Sequence, residues 1–354
     1  MYDERYYSAN IGISAWEVDL FGRSRSLTRA AFEQYLASDD HRRAVQISLI
    51  AEVATDYFTL AADRQLLTLA KETLASQRAA LAVMQQRYQA GVISELDVQQ
   101  ANTAVQQALA DVSEFMTRSL QSQNALNLVV GAAVPEDALP RGLSGSAGAM
   151  VDLAPDTTSD VLLARPDVLE AEHRLKAANA DIGAARAAFF PRVTLTARAG
   201  HESPALSSLF NASTKSWLFA PDLALPIFAG GSNLANLRSQ SEMHKAAVAQ
   251  YEKTIQTAFR EVADALARRG TISDELSAEM ALVTASERSL KISTIHFDQG
   301  TDSYTDVYLS QRQFYVSQQG LVSTQLAQLV NAVETYRVLG GGDLAAGSKL
   351  SART

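Results

Sequence analysis

The chain nearly repeats itself, without gaps, at a spacing of 209 residues. The stretch Arg87-Tyr-Gln-Ala-Gly91-Val-Ile-Ser94-Glu-Leu-Asp97-Val98 is answered by His296-Phe-Asp-Gln-Gly300-Thr-Asp-Ser303-Tyr-Thr-Asp306-Val307. Upstream, Glu52-Val53-Ala54 returns as Glu261-Val262-Ala263; downstream, Val129 and Gly131 return as Val338 and Gly340. A chance match in one turn would not hold register over so long a stretch, so the chain reads as two copies of one structural unit. The period is far longer than the ~20–50 residues of a solenoid repeat. Two copies of a large unit suggest pseudo-symmetric assembly around an axis. The expected divisions are a first copy at 1–130, a linker at 131–158, a second copy at 159–342 and a disordered tail at 343–354.

All eight prolines lie between residues 135 and 226. Proline removes a backbone donor and clashes with the preceding turn, so the proline-free blocks 22–130 and 231–338 are where uninterrupted helix is possible. Both are rich in Ala, Gln, Leu, Glu and Arg, which favour helix. Each breaks once, at the repeated glycine turn. The expected helices are therefore 22–88 and 95–130, then 231–298 and 303–338, with a further helix from about 159 to Phe190. At 1.5 Å per residue the longest would reach ~100 Å. Along the second helix Val98, Ala101, Val105, Leu109, Val112, Met116 and Leu120 step by three or four, a narrow stripe suited to coiled-coil packing of one helical layer.

Strands flank the long helices. Val193, Leu195, Ala197 and Ala199 alternate with Thr194, Thr196 and Arg198, and Trp217, Phe219, Leu223, Leu225 and Ile227 form a second alternating run. Near the start, Ile11 and Ile13 alternate with polar residues, then the apolar parity switches to Trp16 and Val18, which predicts a bulge. Alternation fits an ordinary half-buried sheet. It also fits a transmembrane barrel, with Trp217 and Phe219 as an interfacial girdle.

Composition narrows the function. Without cysteine there is no thiol nucleophile, disulfide or thiolate metal site. A net charge of −8, with no Lys/Arg-dense face, argues against a nucleic-acid partner. No window approaches ~18 uninterrupted apolar residues. The five histidines are scattered, without metal spacing or an evident carboxylate partner, and read as surface or packing residues. No catalytic constellation and no cofactor site emerge; the chain is not read as an enzyme.

Taken together, Arg165-Pro-Asp-Val168, Glu170 to Pro191, Trp217 to Phe228, both glycine turns and the ending Glu334 to Gly342 resemble the TolC/OprM-type outer-membrane factors. Within that family the likeness is to the efflux lipoprotein branch called NodT-like. The resemblance covers roughly residues 5–342. It implies a mainly α fold with a minor β part, and a homotrimer. A twelve-stranded barrel in the outer membrane of a Gram-negative bacterium would continue into an α-barrel crossing the periplasm. The implied function is the passive exit duct of a tripartite efflux pump for drugs or other small molecules. Its implied partners are a periplasmic adaptor, an inner-membrane transporter of RND type, and outer-membrane lipid. The repeat places the counterparts of helix 159–190 and strand 192–202 before Met1. The expectation is thus an N-terminally truncated chain, without one strand, at least one helix, and the export signal with its lipidated cysteine. The competing function is a soluble periplasmic coiled-coil adaptor or scaffold.

The expected sites follow. Gly91 and Gly300 end helices in left-handed backbone, Ser94 and Ser303 cap the returning helices, and with Asp97 they form the adaptor-docking tips. By the resemblance, Asp302, Tyr304, Asp306, Leu309 and Arg312 form a periplasmic gate, with Asp302, Asp306 and Arg312 as a latch between subunits and Leu309 as a candidate apolar ring. The first tip is read as lacking tyrosine and arginine partners. Gly340 to Gly342 follow a helix and are read as its stop, not a phosphate loop.

Overall fold

A computed structural model describes residues 6–143 and 163–341. In chain order the elements are β1 (Tyr7–Val18), α1 (Arg23–Gln89), α2 (Glu95–Val130), α3 (Pro166–Ala187), β2 (Arg192–Ser203), β3 (Lys215–Ala224), α4 (Ser232–Asp298) and α5 (Tyr304–Val338). Most of the linker 131–158 and the tail 343–354 lie outside the described residues; α3 is shorter than the expected 159–190, beginning only at Pro166, after non-helical residues 164 and 165, and ending at Ala187. In the two longest helices the repeat is kept to the residue. Helices α1 and α4 both have 67 residues, and their first and last residues are each 209 apart.

The chain forms two compact units that do not follow the repeat boundaries: Met1–Arg42 with Pro166–Gln256, and Arg43–Arg165 with Thr257–Thr354. In the first unit, β2 is the central strand of an antiparallel three-stranded sheet, between β1 and β3. The expected bulge is present. Register shifts between Ile13 and Trp16, and Ala15 takes a left-handed φ of 52° while its N–H donates to Thr196 Oγ1 at 3.1 Å. Helix α3 lies on α1, where Gly183 approaches Ser26 so closely that a Cβ would stand 2.8 Å from its Oγ.

That packing corrects the reading of the histidines. His173 Nδ1 is 2.6 Å from Glu33 Oε2, and His41 Nδ1 is 3.1 Å from Glu170 Oε2. Both pairs join α1 to α3 across 129 or more residues, so no sequence spacing betrays them.

In the second unit the core is thin and rich in alanine. Ala61, Ala62, Leu66 and Ala70 of α1 meet Phe115 of α2 and Val322 and Leu329 of α5. Here too the sequence needs correction. The buried stripe of α2 is Ala101, Val105, Ala108, Phe115, Ser119 and Leu126, with Val112 half-buried, whereas Met116 and Leu120 are exposed. The steps alternate four and three, the 3.5-residue period of a coiled-coil seam. A straight-helix reading drifts off it by roughly 20° per heptad.

Candidate functional site

Two places carry the expected functional residues: the hairpin tips of the second unit and the sheet of the first.

The tips are built alike. After α1, Gly91 has φ 73°, its N–H donates to Tyr88 O, and Val92 N–H donates to Arg87 O at 2.9 Å. After α4, Gly300 has φ 74°, with Gly300 donating to Phe297 O and Thr301 to His296 O, both at 3.0 Å. This is the paired bond of a Schellman stop, and the left-handed residue is glycine because a Cβ is penalised there. Each return starts at a serine. The Ser94 N–H and hydroxyl donate to Asp97 Oδ2 at 2.9 and 2.7 Å, and Asp97 N–H donates back to Ser94 Oγ at 3.3 Å. The Ser303 N–H and hydroxyl donate to Asp306 Oδ2 at 3.3 and 2.7 Å.

Within the chain, then, the latch residues are not brought together. Asp306 is taken up by its own helix start, and Asp302 Oδ2 sits 3.0 Å from His296 Nδ1 across the glycine turn. Among the described residues Arg312 forms no ion pair with either aspartate; it is exposed and lines a groove of about 570 Å³ between α2 and α5 with Asp111, Glu114, Tyr308 and Tyr315. In that groove burial, with Asp111 beside it, raises the Tyr315 phenol far above its ordinary range, so it stays a neutral hydroxyl. Leu309 is 52% exposed.

Tyr304 is the reverse. Only 2% exposed, it packs with Met84, Ala101 and Val307, and its ring meets Phe297 edge-on at 5.5 Å. Its hydroxyl is buried without a hydrogen-bond partner among the described residues, and burial followed by the nearby Asp97 charge raises its pKa. The first tip thus does have a tyrosine beside its aspartate, supplied by the other hairpin.

Residues that sequence reasoning missed tie the two tips together. Arg87 Nη2 pairs with Asp298 Oδ1 at 2.9 Å while its guanidinium lies 5.1 Å from the Phe297 ring centre. Gln100 and Thr305 exchange hydrogen bonds at 3.1 and 3.2 Å. The partners are 205 to 211 residues apart, close to the repeat length, and the repeat was the one signal that could have paired them.

The sheet has two distinct faces. Paired residues across the three strands point the same way, giving the rows Ile11–Ala199–Trp217, Ile13–Ala197–Phe219, Trp16–Leu195–Pro221 and Val18–Val193–Leu223 on one face. The opposite face holds Asn10–Gly200–Ser216, Gly12–Arg198–Leu218 and Glu17–Thr194–Asp222, with Glu17 paired to Arg192 at 2.9 Å and to Arg23 at 3.1 Å. The bulge keeps Trp16 and Val18 on the apolar side. Trp217 is 78% exposed and Phe219 59% exposed on that side, and the four rows span about 20 Å along the strands, near the ~25 Å apolar band of an outer-membrane barrel.

The sequence profile described as outer membrane efflux protein matches residues 1–132 and 157–341. The solvent efflux pump outer membrane protein SrpC of Pseudomonas putida is 47% identical over 330 residues, covering 93% of this chain and 70% of the relative. Outer membrane protein OprJ of Pseudomonas aeruginosa is 42% identical over 336 residues, covering 95% and 70%. The open-state structure of the MtrE outer membrane channel of Neisseria gonorrhoeae superposes with a TM-score of 0.83 at 34% identity, covering 95% of this chain and 76% of that one.

Proposed function

The chain belongs to the outer membrane efflux protein family, and from that premise we propose what its channel carries and how it closes. The protein is the outer-membrane component of an efflux pump, a TolC-type helical channel that assembles as a homotrimer and works with an adaptor and an inner-membrane transporter. This sets aside the soluble scaffold reading. Relatives are named for solvent and toluene efflux, and others for antibiotic efflux. The cargo proposed here is accordingly small apolar or amphipathic molecules. Passage needs no chemistry; energy comes from the inner-membrane partner.

For the gate, the supporting observation is which side chains remain free within the chain. Asp302, Asp306 and Tyr304 are engaged in shaping the second tip, whereas Leu309 and Arg312, one turn apart on α5, are exposed. Three copies of Leu309 and Arg312 meeting near the trimer axis would close the duct. Asp302, Tyr304 and Asp306 would hold the tip in the shape that aims them. Gly91, Ser94, Asp97, Gly300 and Ser303 form the surface that meets the adaptor, where small residues allow close approach of another helical hairpin. Extraction from outer membranes in mild detergent tests the assembly: a trimer is expected, and a clean monomer at micromolar concentration would overturn the channel reading.

A further inference from the structure

We propose that the first turns of α1, with Trp16 of the sheet, form a binding site for the headgroup of an anionic phospholipid in the periplasmic leaflet. This rests on the outer-membrane reading above. A groove of about 660 Å³ is lined by Trp16, Arg25, Thr28, Arg29 and Phe32, and at its back by Glu17 and Asp19, whose carboxylates are already paired with Arg23 and Arg192 and with Arg25. Its upper wall is Trp16, which stands in the apolar rows and is 54% exposed. The groove is therefore continuous with the surface that faces lipid.

The helix geometry puts the basic residues on that same outer side. Arg23 pairs with Glu17, a residue of the polar face of the sheet, and so marks the inner side of α1. At 100° per residue Arg25, Arg29 and Phe32 lie about 200°, 240° and 180° around the helix from Arg23. They point away from the polar face and share one stripe. Arg29 is exposed, and among the described residues no ion pair or hydrogen bond engages it. Arg25 gives its Nε to Asp19 Oδ2 at 3.0 Å and its Nη2 to Asp19 O at 3.4 Å, yet its side chain remains 75% exposed, leaving the Nη1 end for a second acceptor. Phe32, 56% exposed, forms the lower wall. An apolar surface ending in a tryptophan and followed by two guanidiniums matches an acyl chain followed by a phosphate, with the Phe32 ring closing the groove beyond it. Guanidinium is also the group that grips a phosphate with two parallel donors.

The second copy of the repeat supplies an internal control. Arg238 stands where Arg29 does, but Leu225 replaces Trp16, Leu234 replaces Arg25 and Ser241 replaces Phe32. The arginine is retained there without the walls of the groove.

The assembled protein would be inserted into vesicles of phosphatidylcholine alone, or of seven parts phosphatidylcholine to three parts phosphatidylglycerol. After extraction, the lipids retained on the trimer would be counted by native mass spectrometry. The wild type should retain phosphatidylglycerol in preference to phosphatidylcholine. R29Q should lower that retention about fivefold, the weight of one cation at an anionic surface, F32A should lower it as well, and R238Q should leave it nearly unchanged. Equal loss in R29Q and R238Q would mean diffuse charge attraction and would overturn the site. Unchanged retention in R29Q with insertion intact would also overturn it, as would a fall in trimer yield without a change in lipid, which would assign this face to a neighbouring subunit. Failure of the wild type to enter either vesicle would count against the channel reading itself, and the site with it.

Discussion

Tyr304 shows how one side chain can serve the fold while its polar atom serves nothing within the chain. Its ring fills the cluster that holds the two tips together, but its hydroxyl is buried and, among the described residues, unpaired. An unsatisfied buried hydroxyl costs about 1–3 kcal/mol, so Tyr304→Phe should leave the melting temperature unchanged or raise it. Tyr304→Ala, which empties the cluster, should cost about 3–5 kcal/mol. A marked loss of stability in Tyr304→Phe would mean that the hydroxyl meets a partner on another subunit, which would place it in the gate. Residues with a local role were legible in the sequence. Gly91, Gly300, Ser94 and Ser303 announce a left-handed stop and a capped start within a few positions. Pairings such as His173 with Glu33, or Arg87 with Asp298, were not, because each joins helices far apart in the chain.

At the scale of elements, absence of proline and the repeated turn were enough to place four long helices to within a residue or so. Which face each helix buries was harder, since small and polar residues occur on every side of α2. Leu126 is 2% exposed in the seam and Leu120 55% exposed beside it, although both are leucines at helical spacing. Leu126→Ala should therefore cost about 2–5 kcal/mol in thermal or chemical unfolding, and Leu120→Ala within about 0.5. Equal losses would restore the straight-helix stripe. The end of α5 adds a pH dependence. Arg165 Nη2 and Arg337 Nη2 converge on Glu261 Oε2 at 2.9 and 3.6 Å, and Arg337 also holds Glu334 at 2.6 Å. That hydrogen bond, against an opposing effect of burial, keeps the Glu334 carboxyl below its free value of 4.5. A depressed carboxylate stabilises the fold fully above its unfolded pKa, and the contribution is lost as pH falls through the lower folded value. Glu334→Gln should thus lower the melting temperature near neutral pH and flatten its decline below about pH 4.5. A parallel decline in wild type and variant would show that the group contributes nothing.

For the molecule as a whole, the question is what keeps a wide duct shut, and magnitudes favour apolar closure over a charge latch. Exposed ion pairs contribute about 0–1 kcal/mol each, so three copies of an Arg312 latch in water would supply little. Burying an exposed leucine side chain contributes roughly 1.5–3 kcal/mol. Leu309 is 52% exposed, so three copies closing on one another would gain about half of that each, roughly 2–5 kcal/mol in all, the greater part of the ~5.5 kcal/mol that inverts a two-state equilibrium. Leu309→Ser should therefore raise single-channel conductance in a planar bilayer more than Arg312→Ala does, with the double substitution larger than either. Asp306→Ala should act differently. It removes the cap acceptor of Ser303, so it should lower thermal stability by about 1 kcal/mol while changing conductance little. If conductance rises with Asp306→Ala and stays flat in Leu309→Ser, with trimers intact in both, the aspartate must leave its cap to bridge subunits. The tip would then be a latch and not an apolar seal.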